Sequence, residues 1–109
     1  MKQPRALSPL ALEAAKLLGA GVRLGRRERR WTVAELAERA GVTEATMLKV
    51  ERGDPGVRLG IAFEAAALTG VPLFGEDDER RRLEGQRLGD RLAALPQKTR
   101  RPREVDDDF

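Results

Sequence analysis

Four residues near the middle of the chain have side chains that can contact the edges of DNA base pairs. The carboxylate of Glu44 can accept a hydrogen bond from cytosine N4, and the ammonium group of Lys49 can donate to guanine O6 or N7. The hydroxyl group of Thr46 can bond a base or a phosphate, and its methyl group or that of Ala45 can contact the thymine methyl group. These residue types favour DNA recognition by the first turns of a helix. Glu44 has a second interpretation, as a favourable charge at a helix N-terminus.

Two short helices joined by a tight turn would position these residues. Six apolar residues have the spacing expected between two crossing helices: Leu36, Ala37, Ala40, Val42, Met47 and Val50. Thr32 and Thr43 suit the two N-caps, and Glu35 completes a capping box with Thr32. Gly41 stands where the chain must turn sharply, which favours a positive φ. Residues 33–52 are therefore predicted to form a helix-turn-helix whose second helix lies in the major groove.

Further residues around this helix pair suit the DNA backbone. Five of them are predicted to contact phosphates: Thr32, Val33, Arg52, Gly56 and Arg58. Val33 can offer only its backbone N–H, which suits an anion at a helix N-terminus. Some of the arginines between positions 23 and 30 are further candidates, with a solvated helix face as the alternative.

Composition limits the fold class. The chain has 109 residues, enough for one domain with a modest core. Hydrophobic residues make up 40% and aromatic residues only 4%, so the core must consist of Leu, Ala and Val. Lys and Arg number 21 against 18 Asp and Glu, and the basic residues cluster at 23–30 and 98–103. Abundant alanine and leucine without an alternating strand pattern predict an all-α fold.

Several classes of function are disfavoured by missing residue types. The chain has no Cys and no His, so disulfides, thiolate metal sites and the commonest general base are absent. No recognisable base accompanies its only serine, Ser8, so we expect neither an enzyme nor a bound cofactor or metal. Glu13 and Lys16 interrupt the N-terminal apolar stretch, which disfavours a signal peptide. No apolar run is long enough for a membrane span, so we expect a cytoplasmic, nucleoid-associated protein.

The predicted organisation has four segments. Residues 1–8 form a flexible N-terminus, 9–75 a DNA-binding domain of four helices, 76–96 a C-terminal helix that can serve dimerisation, and 97–109 a disordered charged tail. The first helix begins at Pro9 after the cap Ser8. Its predicted apolar stripe is Leu10, Ala14, Leu17, Gly21 and Leu24, with Leu18 and Val22 alongside. Its glycines indicate either close packing or a break.

The stretch from about Leu18 to Leu73 resembles the Xre helix-turn-helix family, the fold of the lambda and 434 phage repressors. The loop ERGDPGV, residues 51–57, and the final residues RRPREVDDDF narrow the resemblance to HipB-like antitoxins, which accompany HipA-type kinase toxins. The resemblance implies a five-helix lambda-repressor-like fold and a homodimer that binds a palindromic operator in double-stranded DNA and represses its own operon. It also implies a HipA-type kinase partner.

The resemblance also assigns roles to particular residues. Arg26 and Glu51 match a buried ion pair that ties the first helix to the third. Many family members place Gln at the position of Val33, and the position of Leu48 is often polar. Leu48 can contact thymine methyl groups, pack internally or touch a partner. For dimerisation we consider the last helix and the Val71–Phe74 turn, with Phe74 equally explained as a core residue.

Two other functions fit the same sequence. One is a stand-alone phage-type or metabolic repressor without a toxin. The other is a protein-binding module that mainly restrains a kinase, with its charged tail as a docking segment.

Overall fold

The computed structural model describes residues 6–97, and these contain five helices and no strand. The helices are α1 (Pro9–Glu28), α2 (Val33–Ala40), α3 (Glu44–Glu51), α4 (Leu59–Thr69) and α5 (Asp78–Ala94). The all-α prediction is therefore confirmed for this part of the chain. Residues 1–5 of the predicted flexible segment 1–8, and all of the predicted tail 97–109 except residue 97, lie outside the described residues.

The chain divides into two compact units. The first unit ends at Leu73 and contains α1 to α4, and the second begins at Phe74 and contains α5. The predicted boundary after residue 75 lies two residues further along. All the residues predicted to contact DNA lie between positions 23 and 58, so the first unit contains all of them.

Helix ends follow the capping residues that the sequence offers. Ser8 and Asp77 each accept a backbone hydrogen bond at the start of α1 and α5, at 3.1 and 2.8 Å. Gly70 ends α4 in the left-handed conformation, with a φ of 81°. α1 runs without interruption from Pro9 to Glu28, so its glycines do not break the helix.

The core of the first unit draws on all four of its helices. The fully buried apolar residues are Val22, Leu36, Ala37, Met47, Val50, Ala65 and Ala66. Four of them belong to the set predicted between the crossing helices, and the other two members of that set, Ala40 and Val42, are half-buried against this cluster. The core thus fixes the orientation of α2 and α3 together.

Two glycines in α1 allow unusually close packing. A Cβ atom on Gly19 would overlap the carbonyl oxygen of Val50 and lie 2.8 Å from that of Glu51. A Cβ atom on Gly25 would overlap the carbonyl oxygen of Thr69 and lie 2.8 Å from its Cβ. The backbone of α1 therefore packs directly against the backbone at the C-terminal ends of α3 and α4. The glycines of α1 thus serve close packing and do not mark a break in the helix.

The predicted apolar stripe of α1 is wrong for most of its members, although both residues predicted alongside it face inward: Val22 is buried and Leu18 is half-buried against the core. Leu10, Leu17 and Leu24 are 73%, 67% and 60% exposed. The buried face of α1 instead consists of Gly19, Val22, Gly25 and Arg26. Hydrophobicity alone selects the leucines, but close approach to α3 and α4 requires small residues. The glycine-containing face therefore packs inward.

The second unit consists mainly of α5, in which no residue is buried. Ion pairs three residues apart run along this helix and join Arg81 to Asp78, Arg82 to Glu79, and Arg87 to Glu84. The predicted apolar stripe of α5 is exposed and comprises Leu88, Leu92 and Leu95. Phe74 is 75% exposed, so its interpretation as a core residue is wrong.

Candidate nucleic-acid interface

Local hydrogen bonds fix both ends of the turn between α2 and α3. The hydroxyl group of Thr32 accepts a bond from the N–H of Glu35 at 3.0 Å, and the Glu35 carboxylate accepts one from the N–H of Thr32 at 2.8 Å. Gly41 ends α2 with a φ of 74°. Thr43 caps α3 by accepting a bond from the N–H of Thr46 at 3.1 Å. The predicted capping box, positive φ and second N-cap are all confirmed.

α3 has one buried face and one exposed face. Met47 and Val50 are buried in the core. A helix turns about 100° per residue. The residues that lie about half a turn around the axis from Met47 and Val50 therefore point away from the core. The exposed residues on that outward face are Ala45, Leu48, Lys49 and Arg52. We refer to these four residues as the outward face of α3.

The structure separates the four residues predicted to contact bases. Ala45 and Lys49 lie one turn apart on the outward face of α3. Glu44 and Thr46 are two positions apart, about 200° around the helix, and therefore lie on opposite edges of that face. Thr46 is half-buried, and its hydroxyl oxygen accepts a bond from the Thr43 hydroxyl group at 3.0 Å. Ala45 and Lys49 thus form the centre of the surface, and Glu44 and Thr46 form its margins.

Four of the five residues predicted to contact phosphates lie at helix ends. Thr32 is exposed and caps α2, and the half-buried Val33 begins the helix, where the first N–H groups have no acceptor within the helix. Arg52 is exposed at the C-cap of α3. Arg58 occupies the N-cap of α4, and no side chain accepts a capping hydrogen bond there. These positions leave N–H groups and guanidinium groups directed to the surface.

Gly56 differs from the other predicted phosphate contacts. Its N–H donates to the Asp54 carboxylate at 2.7 Å, inside the turn that joins α3 to α4. A phosphate can reach this amide only by displacing a carboxylate. The pattern GDPG in the sequence predicts the turn. An Asp that accepts a hydrogen bond from the N–H two residues later is a common way to close such a turn, so this bond had a local signal in the sequence.

The arginine and glutamate pair implied by the family resemblance is present. Arg26 Nε donates to Glu51 Oε2 at 2.6 Å and Arg26 Nη2 to Glu51 Oε1 at 3.0 Å, so the contact is bidentate. A third bond, from Arg26 Nη1 to the carbonyl oxygen of Trp31, measures 2.9 Å. The two side chains are only 10% and 5% exposed. This cluster joins α1, the loop before α2 and the last residue of α3.

The bond to Glu51 raises the pKa of Arg26 above its ordinary value, although burial acts in the opposite direction. Arg26 therefore remains charged in the folded protein. Its guanidinium group has a structural role and does not reach the outward face of α3.

Trp31 joins two further arginines to the start of α2. It is half-buried against the core, and the guanidinium carbon of Arg39 lies 4.2 Å from its ring centroid. The guanidinium group of Arg29 lies 5.9 Å away on the same ring and donates to the carbonyl oxygen of Thr69 at 3.1 Å. These are cation–π geometries. The sequence does not predict this stack, because nothing in the local pattern relates Arg39 to Trp31.

The arginines between positions 23 and 30 have different roles. Arg26 is buried in its ion pair, and Arg29 binds the C-terminal end of α4. Arg23, Arg27 and Arg30 are exposed and retain the interpretation as phosphate ligands. Within residues 6–97, no group of three or more acidic side chains is arranged to hold a metal ion.

Comparisons with known proteins find no similar protein. No protein-family model, curated protein or solved structure matches the chain. Across the described residues, every helix is too short or too polar to cross a membrane. The geometry and charge of the first unit are therefore the grounds for assigning a function.

Proposed function

We propose that the protein is a non-enzymatic, sequence-specific DNA-binding repressor. In this proposal α2 and α3 form a lambda-repressor-like helix-turn-helix, and α3 is the helix that enters the major groove. The observation that supports it most strongly is the outward face of α3, which carries two cations and two apolar residues on a helix held rigidly from behind. An α-helix with its side chains is about 10–12 Å in diameter, which fits the width of the major groove, about 12 Å.

The outward face divides into base-reading and phosphate-binding parts. Lys49, at its centre, donates to guanine O6 or N7. Arg52 and Arg58 lie at helix ends and bind phosphates on the flanking backbone, as do the N–H groups at the start of α2. Glu44 and Thr46 contact the edges of the groove from opposite sides of the helix.

One α3 can read only a few base pairs, so the proposal includes a homodimer. Two copies separated by about 34 Å would place their α3 helices in successive major grooves on one side of the duplex, which requires a palindromic operator. The exposed leucines of α5 supply an apolar surface in the second unit for such an association.

Within this class we propose the autoregulating antitoxin of a toxin–antitoxin operon, with a HipA-type kinase as partner. The support is the resemblance of the loop ERGDPGV and of the final residues RRPREVDDDF to HipB-like antitoxins. The loop belongs to the described residues, whereas the final residues lie outside them. A kinase gene beside the gene for this chain favours the antitoxin. Its absence favours a stand-alone phage-type or metabolic repressor.

Selection of bound sites from a library of random duplexes, repeated at two salt concentrations, tests the proposal. We expect a palindromic site whose affinity for the full chain falls steeply with salt. Lys49→Met should cost about 1–3 kcal/mol of binding free energy and relax specificity at one base pair per half-site. Arg58→Met should weaken all duplexes alike and reduce the salt slope by about one.

A matched control removes the same charge elsewhere. Arg82→Met changes an exposed arginine of α5 that pairs with Glu79, and we expect it to leave both affinity and specificity unchanged. If no duplex is enriched, or if Lys49→Met and Arg82→Met behave alike, the proposed function is wrong.

A further inference from the structure

α3 carries apolar residues on both of its faces. Met47 and Val50 fill the core, whereas Ala45 and Leu48 lie on the outward face. Leu48 is 38% exposed and is absent from the buried cluster, so internal packing does not account for it. Ala45 and Leu48 are three positions apart and are therefore neighbours on the helix surface. Together they form a small apolar patch on the helix that the proposed function places in DNA.

Two cations border this patch and indicate the chemistry of its partner. Lys49 follows Leu48 directly, and Arg52 lies one turn further along the same face. A partner that covers the patch must therefore present small apolar groups beside negative charge. The major groove provides this combination, because the thymine 5-methyl group projects into a groove bordered by phosphates.

We infer that Ala45 and Leu48 read thymine 5-methyl groups. This inference rests on the proposed function and extends it to the base composition of the operator. Residues one turn apart have Cβ atoms about 5–6 Å from each other, and successive bases are about 3.4 Å apart. The thymine therefore lies within about two base pairs of the base that Lys49 contacts.

The test uses the full chain and the duplex that the selection returns. Each thymine is replaced in turn by deoxyuridine, which removes the 5-methyl group and keeps every hydrogen-bonding atom. For the wild-type chain we expect one or two replacements per half-site to weaken binding about three- to five-fold, the effect of one methyl group withdrawn from water. In Leu48→Ala this loss should shrink to less than two-fold at the position that Leu48 contacts, whereas a thymine contacted only by Ala45 should keep its penalty.

A matched control makes the same substitution at another exposed leucine. Leu24→Ala, on the exposed side of α1, should retain the full deoxyuridine penalty. Circular dichroism and urea unfolding verify that both variants remain folded.

Each outcome decides a separate point. If the selection returns no duplex, the proposed function fails and the inference fails with it. If a duplex binds but tolerates deoxyuridine at every position near the base read by Lys49, or contains no thymine there, only the inference fails. It also fails if Leu48→Ala keeps the full penalty, or if Leu48→Ala weakens self-association and leaves the penalty unchanged, since Leu48 would then contact a second copy.

Discussion

The buried contact between Arg26 and Glu51 yields the sharpest stability prediction. Removing Glu51 leaves a guanidinium group that is 10% exposed with a single remaining bond, to the carbonyl oxygen of Trp31. Removing Arg26 leaves a carboxylate that is 5% exposed with no cation. Breaking such a pair costs about 3–5 kcal/mol of unfolding free energy. A small domain has only about 5–15 kcal/mol in total, so Glu51→Ala and Arg26→Ala should each bring the first unit close to unfolding.

The double variant distinguishes a stranded charge from simple loss of contacts. Arg26→Met combined with Glu51→Leu removes both charges and keeps most of the buried volume. We expect this variant to be more stable than either single alanine variant, because no charge remains buried without its partner. Compared with the matched single variants Arg26→Met and Glu51→Leu, the double variant should therefore lose less unfolding free energy than the sum of their two costs.

Urea unfolding followed by the fluorescence of Trp31, the only tryptophan, measures these differences. The midpoint gives the stability, and an unchanged slope verifies that each variant unfolds from the same folded state. Arg82→Ala serves as the control, measured by circular dichroism, because it breaks the exposed pair with Glu79 and should not change the midpoint measurably. Single variants as stable as the wild type, or costs that simply add in the double variant, would refute this account of the pair.

Three further predictions concern the elements that position α3. Gly19→Ala should lower the unfolding free energy by about 1–3 kcal/mol, because the new Cβ overlaps carbonyl oxygens of α3. Gly60→Ala, where a Cβ atom would have nothing within 4 Å, should be neutral or stabilise by up to about 1 kcal/mol. Equal urea midpoints for the two variants would contradict this packing. Thr43→Ala removes the cap of α3 and should cost about 1 kcal/mol, and an unchanged thermal midpoint would count against the cap. Arg39→Ala should change the emission of Trp31 with little effect on stability, and an unaltered spectrum would contradict the stack.

Local features of the fold could be predicted from the sequence because they depend on residues close together in the chain. Thr32 and Glu35 form a capping box, Gly41 adopts a positive φ, and Thr43 caps the next helix. Each of these contacts spans three residues or fewer. The end of α4 at Gly70 follows from the same kind of signal.

Packing over long range could not be predicted in the same way. The inward face of α1 is set by Gly19 and Gly25, which contribute no side chain to an apolar pattern, whereas the leucines at positions 10, 17 and 24 dominate that pattern and remain exposed. The stack of Arg39 on Trp31 depends on how α2 begins relative to α1.

The exposed surface of α3 could be predicted only in part, for a related reason. Residues 44 to 49 are close in sequence, but a helix distributes neighbours around its axis. Ala45 and Lys49 share the outward face because they are four positions apart, whereas Glu44 and Thr46 lie on its edges. Leu48 and Arg52 belong to the face by the same geometry. Residue type indicates what a side chain can bind, and helical phase decides whether it faces the partner.

Three independent attachments hold α3, and this arrangement has a consequence for binding. Met47 and Val50 lie in the core, Glu51 is bound by Arg26, and the backbone at the end of the helix lies against Gly19. Ordering flexible groups at an interface reduces affinity, so a helix that is already fixed loses less free energy on association. Only the side chains of the outward face must then be ordered. Of these, Lys49 and Arg52 have long flexible stems, whereas Ala45 has none and Leu48 a short one. In the proposed complex with DNA, the apolar pair would therefore contribute to specificity at a lower entropic cost than the cations beside it.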